Sequence, residues 1–147
     1  GCAFDFGGYL NVEKVRSKGV ELEARARLDK DLLLRAHWTY TDARNDLTGE
    51  RLKDVPWYQG AIGLDWRFLE RASAGATLRF RGEAESGFGS GQRVNDFVTL
   101  DLRAAYEITD AISIYGRIVN LFDAEYEEIF GIGTPGISGY AGIRVRW

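Results

Sequence analysis

Histidine and cysteine occur once each in 147 residues and methionine not at all, and each scarcity removes a class of function. The lone Cys2 cannot close an internal disulfide and has no evident base partner to make it a nucleophile. The lone His37 cannot by itself assemble a metal site, which needs several convergent donors. No Ser/His/Asp ordering or paired nucleophile motif is present, so neither an enzyme nor a resident cofactor is expected. A net charge of −3 and a pI near 5.3 give no ground for a nucleic-acid partner. With 28% charged residues and a mean hydropathy of −0.26, no stretch approaches the roughly 20 apolar residues of a spanning helix. Neither an initiator Met nor a secretory leader opens the chain, as expected of a chain that begins partway through a longer one. The glycine-rich run at 87–91 lacks the following Lys and helix of a phosphate cradle and reads as a loop.

What the chain has is alternation. Ala141, Ile143, Val145 and Trp147 fall on one face of a terminal strand, and Tyr140, Gly142, Arg144 and Arg146 on the other, because successive strand side chains point to opposite sides. The same period of two recurs upstream. Val20, Leu22, Ala24, Ala26 and Leu28 oppose Glu21, Glu23, Arg25 and Arg27. Leu32, Leu34, Ala36, Trp38 and Tyr40 oppose Arg35, His37, Thr39 and Thr41, with Leu33 an apolar exception. Similar rows run through Ile62 to Phe68, Ala74 to Phe80 and Val98 to Ile108. The row through Ile112, Ile114 and Ile118 is blurred by Gly116 and Val119. One apolar and one polar face per strand suit a wall between lipid and water, where only every second residue meets hydrocarbon. Trp38, Tyr40, Trp57, Tyr58, Trp66, Phe68, Phe80, Tyr106 and Trp147 would form interfacial girdles.

The connections alternate between tight polar turns, at 29–31, 70–71 and 109–111, and long segments at 42–56, 83–96 and 123–139. That asymmetry matches short periplasmic turns and long extracellular loops, and it puts Trp147 at the periplasmic end. Residues 9–28 read either as one long descending strand or as a hairpin turning near 14–18. The fold class is therefore all-β: an antiparallel transmembrane β-barrel wall of seven or eight meandering strands over residues 1–147.

The run Tyr9-Leu10-Asn11-Val12-Glu13-Lys14, then Lys18 to Glu23, Tyr40 to Asn45, and Asn120-Leu121-Phe122-Asp123 with Tyr126 and Pro135-Gly136 resembles the C-terminal part of TonB-dependent outer-membrane receptors. Within that family it is most similar to the vitamin B12 receptor branch and its siderophore-receptor relatives. The resemblance implies a Gram-negative outer-membrane location and a barrel of about 22 strands plugged by an N-terminal domain. It implies active import of a metal chelate or cobalamin, energised by TonB through that plug, which is absent from these residues. Outer-membrane lipid and the barrel-assembly machinery are the other partners it implies. Gly142, Val145 and Trp147 have the spacing of the terminal assembly signal in that family, while Ala141 stands where a polar residue is typical.

Plain structural readings accompany these. Asn120 and Asp123 suit strand-end and loop hydrogen bonding, and Gly19 suits close backbone approach or a bulge. The ligand-facing candidates are the loops carrying Asp42, Asp46, Glu85, Asp96, Glu125 and Glu127. Residues 123–139 hold four acids and no Lys or Arg, and 83–96 hold three acids against Arg93. Such a field repels anions, favouring a neutral or cationic ligand, a cobalamin-like one over an acidic siderophore, or recruitment through a divalent cation. Two alternatives stay open: a self-contained small outer-membrane barrel with a structural or adhesive role, and a soluble ligand-binding β-barrel.

Overall fold

The computed structural model describes residues 14–87 and 91–147. Cys2, the motif residues Tyr9 to Glu13 and the centre of the 87–91 glycine run lie outside the described residues. Eleven strands and no helix are found in the described part: β1 (Val15–Asp29), β2 (Leu32–Asn45), β3 (Tyr58–Leu69), β4 (Ala72–Arg81), β5 (Ala84–Glu85), β6 (Arg93–Val94), β7 (Phe97–Glu107), β8 (Ile112–Val119), β9 (Glu127–Ile129), β10 (Ile132–Gly133) and β11 (Ser138–Val145). Seven form one antiparallel sheet in the order β1-β2-β3-β4-β7-β8-β11. The other four pair as two small hairpins, β5–β6 and β9–β10, inside the long connections.

Two open points of the sequence are decided here. Residues 15–29 run as one strand, so no hairpin turns at 14–18 within the described residues, and the wall has seven strands among the described residues. β2 continues to Asn45, so the first long connection starts after Asp42 rather than at it.

Register fixes the two faces. Leu22, Trp38, Gly60, Phe80 and Val98 lie side by side across five strands, and two residues lower Ala24, Ala36, Ile62, Leu78 and Leu100 do the same. On β8, Gly116 takes its place in the apolar row opposite Ala104 and Ala141, while Val119 sits in the polar row. Bulges beside the 29–31 and 70–71 turns absorb one residue each without swapping faces upstream.

The sheet has almost no interior. Among the described residues only Ala43, Ala72, Ala84 and Val94 are buried apolar side chains, whereas Leu22 is 59%, Trp66 51% and Ile143 69% exposed. No second sheet covers the apolar face among the described strands, as a soluble sandwich would require. A continuous bare apolar face of this extent belongs in lipid. Aromatics bound it at both ends: Trp38, Tyr40, Trp57 and Tyr58 above, with Trp38 and Tyr40 stacked at 6.5 Å, and Trp66, Phe68 and Tyr106 below, with Trp66 against Phe68 at 5.2 Å. Tyr58 and Trp66 on β3 are eight residues apart, about 26 Å of strand. Tilted by about 40°, that spans about 20 Å, near the height of the apolar band in such barrels.

Candidate functional site

The polar face is a cross-linked wall. Asp65 on β3 accepts from Arg35 on β2 and from Arg103 on β7, and Arg103 Nη1 also donates to Thr77 Oγ1 at 3.2 Å. Arg103 can reach past β4 because its opposite number there is Gly75; a Cβ at that position would lie 2.8 Å from the guanidinium carbon. Higher up, Arg79 pairs with Asp101 at 2.7 Å, and the other Asp101 oxygen accepts the Asn120 N–H at 3.0 Å. Towards β11, Arg117 lies over the Tyr140 ring at 4.4 Å and Arg144 faces Tyr115 at 5.6 Å. The Tyr115 hydroxyl fills the space that a side chain at Gly142 would need. The inward rows thus carry Arg25, Arg27, Arg35, Arg67, Arg79, Arg103, Arg117 and Arg144 against Glu21, Glu23, Asp65, Asp101 and Glu107, a wet and net positive lining.

Above this wall three connections are tied together. Asp54, held at φ 62°, donates its N–H to the Glu85 carbonyl at 2.6 Å, and its carboxylate accepts the Gly87 N–H at 3.1 Å. Arg81, the last residue of β4, donates to the Glu128 carbonyl at 2.9 Å and the Asp54 carbonyl at 3.5 Å. Buried Asn120, at φ 54°, donates Nδ2 to the Ala124 and Pro135 carbonyls (2.9 and 3.5 Å) and accepts the Ala124 N–H at 3.0 Å. Asp123, at φ 51°, accepts the Ile137 N–H at 2.8 Å, with Gly136 close against its carboxylate. Tyr126 packs against Phe97 in a tilted ring pair with centroids 4.1 Å apart. Between the β5–β6 hairpin and the 120–137 connection lies a cleft of about 530 Å³ lined by Arg93, Asn95, Glu125, Tyr126, Glu127 and Phe130, among others. Arg93 is already paired with Glu83 at 3.1 Å. A separate apolar depression of about 730 Å³ around Leu64, Ala76, Leu102 and Ile118 includes the outward face, so its surroundings are acyl chains rather than an aqueous ligand.

A family model described as "TonB dependent receptor-like, beta-barrel" matches residues 2–121. The chain belongs to that family. Three solved structures share its architecture: the siderophore receptor PiuA from Acinetobacter baumannii (16% identity, TM-score 0.77, 89% of this chain and 22% of that one), the ferripyoverdine receptor of Pseudomonas aeruginosa (21%, 0.78, 89% and 19%) and the ferric-catecholate import receptor Fiu from E. coli K12 (14%, 0.79, 89% and 21%). At these identities the likeness is one of fold, and the chain spans about one fifth of the length of the receptors it matches. It is an all-β segment of a TonB-dependent receptor barrel, and its membrane is the Gram-negative outer membrane.

Within the receptor wall, the residues singled out from sequence separate into three places. Glu125 and Glu127 line the cleft, and Glu127 also accepts the Gly131 N–H at 2.8 Å. Glu85 is a hairpin residue whose carbonyl holds Asp54, and Asp96 is exposed just before β7. Asp42 lies in β2, in the same row as Tyr40, and pairs with Arg44 at 2.9 Å; Asp46 pairs with Lys14 and Arg16 at 3.0 and 2.8 Å. These two carboxylates are therefore away from the cleft. His37 faces inward between Glu23 and Ala61, and no group of three or more His, Cys, Asp or Glu suited to a metal occurs among the described residues. Gly19 sits within β1 without a bulge, packed against the Tyr40 carbonyl. Val145 faces outward opposite Ile112, and Trp147 is fully exposed beyond β11. Sequence reasoning missed Asp54 and Arg81, because their roles depend on contacts between connections distant in the chain, and it missed Arg51, which donates to the Thr41 and Val55 carbonyls nearby in the chain at 3.1 and 3.0 Å. The carbonyl-rich environment that Arg51 and Arg81 find has no local sequence signal.

Proposed function

We propose that these residues form part of the wall and outer mouth of an outer-membrane importer that takes up a metal chelate or cobalamin, energised by TonB through a plug carried elsewhere in the full protein. The observation that carries this reading is the pairing of an arginine-rich wet wall with three connections cross-tied above it by Asp54 and Arg81. An adhesive small barrel is less well supported, because among the described strands β1 and β11 each have one unpaired edge and the sheet does not close. A transport role, rather than an enzymatic one, accords with the family.

Kinship with siderophore receptors supports a ferric siderophore as the first ligand class, with cobalamin as the alternative. The cleft adds a charge condition. Glu125 and Glu127 face it, while its one arginine is neutralised by Glu83. Its field favours a chelate without net negative charge, or one bridged by a divalent cation, and Tyr126 and Phe130 are among its lining residues. Equilibrium binding by the full-length receptor to cyanocobalamin and to neutral, cationic and anionic ferric siderophores, with and without calcium, tests this. Selective binding of a neutral or cationic chelate, or of cobalamin, is expected; calcium-independent tight binding of an anionic chelate alone overturns the charge argument.

A further inference from the structure

The outward rows of β1 and β2 change character above the upper girdle. Val20 and Tyr40 face each other in register; two residues higher stand Lys18 and Asp42, and two higher again Arg16 and Arg44. An antiparallel bridge extends that last level to Arg51 in the following connection. Three arginines therefore occupy one level on adjacent segments. Their side is fixed by the aromatic ladder: Trp57 stacks on Tyr40 at 6.1 Å, and the Arg51 guanidinium carbon lies over the Trp57 ring, 3.2 Å from its centroid. Arg51 is anchored there by the Thr41 and Val55 carbonyls (3.1 and 3.0 Å), and burial pulls its guanidinium below the ordinary arginine value against the opposing effect of Asp42.

Like charges directly opposite one another on neighbouring strands are destabilising. Here Lys14 and Arg16 share Asp46, Arg44 pairs with Asp42, and Lys18 has no ion-pair partner among the described residues. Such an array is tolerated when an anion arrives from outside. The patch is also local: on β4 and β7 the outward rows end on Phe80 and Val98, level with Trp38, and carry no cation above them within those strands, and the periplasmic ends finish on Leu28, Phe68 and Ile108. Because the long connections mark the outer side, the patch lies at headgroup level in the outer leaflet.

We propose that this patch binds the phosphorylated headgroup of the outer-leaflet glycolipid, lipopolysaccharide. Arg16, Lys18 and Arg44 donate charge-assisted hydrogen bonds to its phosphoryl oxygens, and the Trp38–Tyr40–Trp57 ladder lies along the boundary between its sugars and acyl chains. The inference is independent of the imported ligand, so its failure leaves the chelate-binding test untouched.

The test uses the full-length receptor in detergent, stripped of endogenous lipid and titrated by native mass spectrometry with diphosphoryl lipid A, its dephosphorylated counterpart and phosphatidylglycerol. The wild type is expected to bind diphosphoryl lipid A at least about ten-fold more tightly than either of the others. R16Q/K18Q/R44Q is expected to lose about ten-fold, while K30Q/R71Q at the opposite rim is unchanged. If the triple variant fails to fold, Lys18→Gln alone carries the test with a loss of about two- to three-fold. Undiminished binding by the patch variant, or indifference of the wild type to the phosphates or to the lipid class, overturns the proposal.

Discussion

Gly60 and Gly75 lie on adjacent strands and on opposite faces, and each makes room for a neighbour, but with different consequences. At Gly75 the neighbour is the far end of the Arg103 side chain, which can move aside. Its ion pair with Asp65 is partly exposed, so losing it costs under about 1 kcal/mol. At Gly60 an added Cβ would lie 2.5 Å from the His37 carbonyl oxygen and 2.7 Å from the Phe80 ring, and neither the strand nor a ring wedged in the girdle yields easily. Gly60→Ala is therefore expected to destabilise the barrel by about 1–3 kcal/mol, and Gly75→Ala by less than about 1 kcal/mol, in reversible unfolding measured in lipid. Comparable losses at both sites would contradict the distinction between backbone and side-chain crowding. Nothing in the local sequence separates these two glycines, because the difference lies in what the neighbouring strand places opposite each.

At the scale of strands, register is the testable quantity. Leu102 stands in the outward row between Ala76 and Ile118, and Arg103 in the inward row between Gly75 and Arg117. Leu102→Arg near mid-bilayer should cost about 2–4 kcal/mol, and Arg103→Leu clearly less; equal costs would mean that the faces are wrongly assigned. For β11, Trp147→Ala in the full-length protein is expected to lower the outer-membrane level when assembly machinery is limiting, and wild-type abundance would refute a role for Trp147 in the assembly signal. The seven long strands were legible because eight or more residues give the period of two room to repeat. The β5–β6 and β9–β10 hairpins were not, since strands of two or three residues show at most one alternation. The upper end of β2 was misjudged for a related reason: the charged residues Asp42 and Arg44 look like loop, although they continue the outward row beyond the girdle.

Across the whole segment, chemistry is sorted by direction: apolar side chains outward, arginine inward, carboxylates prominent in the outer connections, and cations outward only above the girdle on β1 and β2. The inward and outward sorting was readable from alternation alone. The tying of connections by Asp54 and Arg81 was not, because their partners lie in other connections far along the chain, whereas the Asn120 bonds to Ala124 and Pro135 stay within one connection and are of the strand-end kind its position suggests. The central claim is that this sheet separates lipid from an aqueous lumen, and site-directed spin labelling along β7 tests it most directly. Single cysteines placed at Leu100, Asp101, Leu102, Arg103 and Ala104 of the full-length receptor, cleared of other cysteines and reconstituted in bilayers, would be compared for accessibility to oxygen and to a polar nickel chelate. The account predicts strict alternation, with 100, 102 and 104 favouring oxygen and 101 and 103 the nickel chelate; uniform accessibility, or alternation of the opposite phase, would contradict it.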